Sequence, residues 1–113
     1  MDFSLAILGH LVGDYLLQND WMAQNKKLNS FPCAVHCALW TAAVCFFTGW
    51  GWLPALALFA MHFAQDRTQV IPQWMHLMGQ RAFVSGPCAP WSIIVVDNVW
   101  HLVQLWLVWR FIA

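Results

Sequence analysis

The chain has 113 residues, of which 61% are hydrophobic and 9% are charged, and its formal net charge is zero. A soluble domain of this size needs more charge to cover its surface, so the composition favours one small domain within a lipid bilayer. The neutral balance argues against a nucleic-acid partner. The four cysteines lack the paired spacing of a disulfide scaffold, and we interpret them as reduced.

Apolar segments long enough to cross a bilayer follow one another along the chain. They predict an all-α integral membrane four-helix bundle that forms a single transmembrane domain over residues 1–113. The expected spans are residues 3–22, 31–48, 53–69 and 90–112, each bound being approximate. Between the third and fourth spans, Trp74, Leu77 and Met78 form a weak apolar stripe. This stripe is consistent either with a short interfacial helix or with an irregular loop.

The basic residues indicate how the spans are oriented. Four of the five lie beside the two longer connections, namely Lys26, Lys27, Arg67 and Arg81. The positive-inside rule therefore predicts that this side is cytoplasmic and that both termini are periplasmic, with membrane lipid as the surrounding partner. The first span lacks the positive start and the cleavage site of a signal peptide, so we expect it to remain in the mature protein.

Histidine and aspartate recur at a spacing of four residues. The three pairs are His10–Asp14, His62–Asp66 and Asp97–His101. Because positions i and i+4 share one face of a helix, each pair presents an imidazole and a carboxylate together. The second span contributes His36, and glutamines extend the other three faces: Gln18, Gln65 and Gln104.

The predicted topology places all four polar faces in the cytoplasmic leaflet, with the carboxylates about 6 Å nearer the cytoplasm than the histidines of their pairs. A buried, unpaired carboxylate costs at least about 2.5 kcal/mol in a membrane, so these groups need protons or a cation. Direct contacts between helices are the structural alternative. The pattern favours a divalent metal, with zinc as the first choice and two metals as an open alternative. The candidate metal ligands are His10, Asp14, His36, His62, Asp66, Asp97 and His101.

One stretch resembles a known family. Residues 10–23 have the sequence HLVGDYLLQNDWMA, and Lys26, Lys27 and His36 follow. This is similar to the H-x-x-x-D-x-x-x-Q opening, W-M-A element and lysine of domain of unknown function 3307, found in small multi-span proteins of bacteria and phages. The later His-Asp pairs match the remaining motifs, so the resemblance covers nearly the whole chain. It implies a bacterial inner-membrane location and a site that includes Gln18 and a loop lysine, but no reaction.

A looser similarity exists to inner-membrane proteins described as metal-dependent hydrolases. We therefore expect a membrane-embedded metal-dependent hydrolase that acts on a lipid or lipid-linked substrate from the cytoplasmic leaflet. Asp14, Asp97 and Gln18 are the candidate catalytic residues, while Lys26, Lys27 and Gln18 are the candidates for binding the head group. The alternatives are a metal-ion or proton transporter or channel, and an interaction protein with a structural metal. The sequence also leaves a homo-oligomer open.

Overall fold

The computed structural model describes residues 2–113, and this part of the chain contains helices and no strands. The predicted all-α class is therefore confirmed. A π-helical turn, Val12–Leu16, continues the first helix. The helices are α1 (Phe3–Leu11), α2 (Asp20–Asn25), α3 (Ser30–Thr48), α4 (Trp52–Arg67), α5 (Val70–Leu77), α6 (Arg81–Ser85) and α7 (Trp91–Phe111).

Four of these helices form a bundle. Helix α3 packs between α1 and α4, and α7 contacts both α1 and α4, so the four helices close around a common centre. Apolar side chains fill one half of that centre, where the core consists of Ala6, Trp40, Val44, Leu58, Leu105 and Val108. In each of the four bundle helices, a core residue lies four positions from a histidine of the predicted site. The core therefore lies directly beneath the polar half of the bundle.

Two helices are long and apolar enough to cross a membrane, namely α3 with 19 residues and α7 with 21. Helix α1 with its π-helical turn, and α4 with 16 residues, are shorter. Large apolar side chains also lie on the outside of the bundle, among them Phe46, Leu56 and Trp106. The four-span membrane bundle stays a prediction, since length and composition support two spans.

The first helical segment is shorter than the sequence predicts. It ends at Leu16 instead of continuing to residue 22, and a new helix begins at Asp20. Asn19 causes this break, because its side-chain oxygen accepts a hydrogen bond from the Met22 N–H at 2.9 Å and caps α2. The connection between α4 and α7 contains α5 and α6, so helical structure is present where a short helix or a loop was expected.

Two glycines allow α1 and its π-helical turn to approach α3 closely. A Cβ atom added to Gly9 would lie 2.6 Å from the Val44 Cα, and one added to Gly13 would lie 2.9 Å from the Trp40 Cα. Both distances are too short for carbon atoms, so only glycine fits there. The four-residue spacing of small residues is typical of close helix pairs in membranes. This approach brings Asp14, which follows Gly13, to the face of α3.

We expect Gly9→Ala to destabilise the protein by about 1–3 kcal/mol, because the added methyl group forces α1 away from the α3 backbone. Unfolding in detergent, followed by circular dichroism, measures the change. Gly51→Ala is the matched control, since the Gly51 φ is −83° and no atom lies within 4 Å of the added carbon. Equal stability of the two variants would contradict the close approach of α1 and α3.

Candidate metal centre

The carboxylate of Asp66 lies at the centre of the polar half of the bundle and is 1% exposed. Its Oδ2 atom lies 3.1 Å from the Nε2 atom of His36 and 3.0 Å from that of His62. Its Oδ1 atom lies 3.2 Å from the Nε2 atom of His101. One carboxylate on α4 therefore contacts imidazoles from three different helices.

The other two carboxylates approach the same imidazoles from α7 and from the π-helical turn. Asp14 Oδ1 lies 3.2 Å from His36 Nε2 and 3.6 Å from His62 Nε2. Asp97 Oδ2 lies 3.3 Å from His101 Nε2. The two imidazole nitrogens of His36 and His62 are themselves only 3.0 Å apart. The sequence prediction that these helix faces converge is thus matched by direct contacts between their polar atoms.

These buried His and Asp side chains could hold a metal ion. Three groups offer ligand atoms that all lie within 4.8 Å of one another: Asp14, His62 and His101; His36, His62 and Asp66; and Asp66, Asp97 and His101. In the second group the separations between ligand atoms are 3.0, 3.1 and 3.0 Å. Ligands at 2.0–2.1 Å from a tetrahedral zinc ion lie about 3.3–3.4 Å apart, so this group has nearly the size of one tetrahedral face.

Aromatic stacking fixes the orientation of the imidazoles. The His62 ring stacks on Trp40 at a centroid distance of 4.0 Å and on His101 at 3.9 Å. The His62 ring makes interplanar angles of 24° with Trp40 and 17° with His101, while the rings of Trp40 and His101 are tilted by 40° to each other. This stack is part of the boundary between the apolar core and the polar cluster. It leaves the Nε2 atoms of His62 and His101 directed at the Asp66 carboxylate.

His10 has a different environment from the other predicted ligands. Its Nδ1 atom accepts a hydrogen bond from the Trp40 indole N–H at 3.0 Å, and its Nε2 atom lies 2.9 Å from Asn98 Oδ1. Because an indole N–H can only donate, His10 carries its proton on Nε2 and donates it to Asn98. His10 belongs to none of the three groups. The three groups thus contain six of the seven predicted ligands, while His10 is hydrogen-bonded to Trp40 and Asn98 and its Nδ1 atom lies 3.5 Å from Asp14 Oδ2.

Two glutamines support the groups on α7. Gln65 Nε2 donates to Asp97 Oδ1 at 2.8 Å and to the Asp97 carbonyl oxygen at 2.9 Å. Gln104 donates to Gln65 Oε1 at 2.7 Å, and its own Oε1 lies 3.3 Å from His101 Nδ1. A proton on Nδ1 donated to Gln104 leaves the lone pair of His101 Nε2 free for a metal. The sequence placed both glutamines on the polar faces, and the structure adds these partners.

The two loop lysines have different roles. Lys26 Nζ lies 3.2 Å from Asp66 Oδ2 and donates to Gln18 Oε1 at 2.9 Å, so both side chains lie at the cluster. Lys27 Nζ instead donates to the carbonyl oxygens of Asp66 and Thr68, at 3.1 and 2.9 Å, and caps the end of α4.

Burial and nearby charge act in opposite directions on these two ammonium groups. Burial by itself would lower the pKa of Lys26, but the carboxylates of Asp66, Asp14 and Asp97 outweigh this effect and raise it. Burial lowers the pKa of Lys27, because the carboxylates oppose it less there. The nearby carboxylates therefore favour the charged form of Lys26 more than that of Lys27.

The charged groups of the cluster do not balance one another. Three carboxylates face the single ammonium of Lys26, which leaves two negative charges when the imidazoles are neutral. In addition, Asp14 Oδ1 is buried and accepts no hydrogen bond of acceptable geometry from any residue in 2–113. Two protons on the imidazoles, or one divalent cation bound between the carboxylates and the imidazoles, would balance this charge. The donor set of nitrogen and oxygen atoms therefore fits such an ion. The buried thiols of Cys33 and Cys37 lie in none of the groups.

Several residues of the site were not singled out as functional by sequence reasoning. Asn98 and Tyr15 form a hydrogen bond at the edge of the cluster, and Asn98 also contacts His10. The four-residue spacing of Gly9 and Gly13 was the available signal for the close approach of Asp14 to α3. No comparable signal marks Asn98, because its partners lie on a distant segment of the chain.

Comparisons with profiles of known protein families, with functionally characterised proteins and with solved structures give no match for this chain. The resemblance of the His-Asp motifs to domain of unknown function 3307 therefore stays a prediction, and the site has to be interpreted from its own geometry.

We expect His62→Ala to weaken zinc binding by more than about 100-fold, since losing even an outer hydrogen-bond partner of a ligand costs about 10–100-fold. Competition with a chelating dye measures the affinity. His76→Ala removes an exposed imidazole of α5 that lies outside the three groups, so it should leave the affinity unchanged. Unchanged affinity in His62→Ala, or an equal loss in both variants, would contradict the assigned site.

Proposed function

We propose that the protein is a membrane-embedded metal-dependent hydrolase that acts on a lipid or lipid-linked substrate from the cytoplasmic leaflet. The observation that supports this most is the access to the cluster. Asp14 and Asp97 line a cavity of about 250 Å³ together with Gln18 and Lys26. A metal that only held helices together would not need carboxylates facing an open cavity.

The apolar composition of the helices and the position of the basic residues support a location in a membrane. Helices α3 and α7 have the length and apolar composition of membrane spans, and we propose that α1 and α4 cross with them. The basic residues Lys26, Lys27 and Arg67 lie at the end of the bundle that also holds the carboxylates. The positive-inside rule makes this end cytoplasmic and both termini periplasmic. A bacterial inner membrane follows from the resemblance stated above.

Zinc is the metal that best fits a set of imidazole nitrogens and carboxylate oxygens. His36, His62 and Asp66 would hold one ion, and Asp66, Asp97 and His101 could hold a second. Asp66 can serve both groups because its Oδ2 and Oδ1 atoms contact different histidines. When bound, the metal would lower the pKa of a water molecule and polarise a carbonyl or phosphoryl group.

Side chains of the protein would transfer the proton and bind the substrate. Hydrolysis adds water across the bond to the leaving oxygen, so a base must take a proton and return it to that oxygen. Asp97 and Asp14 are suited to this role, since both line the cavity and are 23% and 10% exposed in their side chains. Lys26 and Gln18 line the same cavity and would bind an anionic head group.

The alternatives fit the geometry less well. A transporter or channel for metal ions or protons needs a polar path through the bundle, but Trp40, Leu58 and Leu105 close the centre beneath the cluster. A structural metal in an interaction protein needs no cavity beside its ligands. Association into a homo-oligomer is compatible with the exposed apolar side chains and would not alter the proposed chemistry.

The test is hydrolysis of bacterial phospholipids by the purified protein in lipid vesicles, with products identified by mass spectrometry. We expect metal-dependent product formation that falls by about 100-fold or more in Asp97→Asn, because this change removes a carboxylate that is both a candidate base and a member of the ligand group with Asp66 and His101. Asp20→Asn, at an exposed position of α2 away from the cluster, should retain full activity. Absence of product from phospholipids and from lipid-linked saccharides would contradict the proposal, and metal uptake into the vesicles would favour transport.

A further inference from the structure

A separate groove lies on the outer side of the metal centre, between α4, α5 and α7. Its volume is about 580 Å³, within the range of about 300–1,000 Å³ that is typical of small-molecule sites. The walls are mainly apolar and include Met61, Ala64, Ile71, Trp74 and Trp100. The rings of Trp74 and Trp100 contact each other edge to face at 5.0 Å, so α5 covers part of the groove as a fixed wall.

The polar atoms at the inner wall connect the groove to the metal centre. Gln65 and Gln104 line the groove and are hydrogen-bonded to each other at 2.7 Å. Gln65 also donates to the Asp97 carboxylate at 2.8 Å. A molecule in the groove is therefore separated from a proposed metal ligand by the thickness of one side chain.

A basic residue lies next to the groove without lining it: Lys27 lines an adjoining cavity of about 120 Å³, which shares Ile71 with the groove. Thr68 lines the groove, and its carbonyl oxygen accepts a hydrogen bond from Lys27 Nζ at 2.9 Å. The Lys27 ammonium has three N–H donors, of which two bind the carbonyl oxygens of Asp66 and Thr68. The third donor is available to an anion. Arg67 holds the same loop by donating to the Lys27 carbonyl oxygen at 2.7 Å, which restricts the position of the ammonium.

The dimensions of the groove select the kind of molecule that can fill it. A helix about 10 Å across would occupy about 420 Å³ in a single turn, so the groove would hold little more than one turn of a partner helix. A single acyl chain is much narrower and needs no hydrogen bonds along its length. An apolar groove that adjoins a cavity lined by Lys26 and Lys27 therefore matches an acyl chain attached to an anionic head group.

We propose that this groove binds one acyl chain of an anionic membrane phospholipid, with its phosphate at Lys27, and that such a lipid is the substrate class of the metal centre. The assignment as substrate rests on the proposed function, whereas the binding of the chain does not. The lipid would enter sideways from the bilayer between α4 and α7. Its phosphate would then lie at Lys27, in the adjoining cavity that Lys26, Asp66 and Asp97 also line, and its head group would extend toward Lys26.

Native mass spectrometry of the protein released from detergent tests this inference, because one spectrum counts both retained lipid and bound metal. The wild-type protein should retain one phosphatidylglycerol. Ala64→Phe fills the groove and should reduce the retained fraction at least tenfold, whereas Ala60→Phe, one turn away at an exposed position outside the groove, should retain it. Metal occupancy should be the same in all three proteins.

A second pair of variants tests the charge at Lys27. The wild-type protein should prefer phosphatidylglycerol to phosphatidylcholine, and Lys27→Gln should lose this preference. Arg81→Gln removes the same charge from an exposed position away from the groove and should keep the preference. Equal lipid retention by Ala64→Phe and Ala60→Phe, or no preference for the anionic lipid in the wild-type protein, would overturn the inference. A wild-type protein that retains the anionic lipid but does not hydrolyse it would instead contradict only the proposed function.

Discussion

The burial of three carboxylates at one end of a small helical bundle is the constraint on which the rest of the structure depends. Asp66 is almost fully buried and contacts histidines from three helices, so moving any of these helices would leave charge without a partner. Such a charge costs several kcal/mol in an apolar medium. The contacts also require the helices to approach closely, which Gly9 and Gly13 permit. Packing and charge balance are therefore satisfied by the same arrangement.

One side of the cluster is closed by aromatic rings, and the other side faces a cavity. On the inner side, the stacked rings of Trp40 and His62 meet the apolar core and close the site. On the other side, Asp14 and Asp97 face a cavity beside Lys26. The cavity beside Asp14 and Asp97 would leave room for water or substrate next to a bound ion. This asymmetry is expected of a catalytic metal site, which keeps one position for a ligand that is not part of the protein.

The sequence predicted the convergence of the site. Residues four positions apart share one face of a helix, and the predicted topology places the four polar faces at the same end of the bundle. The sequence predicted the end of the first helix poorly, because apolar residues continue past Asn19, whose side chain caps the start of a new helix, α2. The hydrogen-bond partners of His10 also could not be predicted from the sequence. Its partners Trp40 and Asn98 come from other helices, and the tautomer depends on both of them together. The helical spacing alone could not separate such a histidine from a ligand.

X-ray absorption spectroscopy of the purified protein tests the central claim most directly, because the spectrum identifies the metal and its ligands together. The account predicts one or two divalent metal ions per chain, with nitrogen and oxygen neighbours at about 2.0–2.2 Å and the multiple scattering of imidazole rings. It also predicts no sulfur neighbour at about 2.3 Å, since Cys33 and Cys37 lie outside the ligand groups. A protein without stoichiometric metal, or with sulfur ligands, would contradict the account.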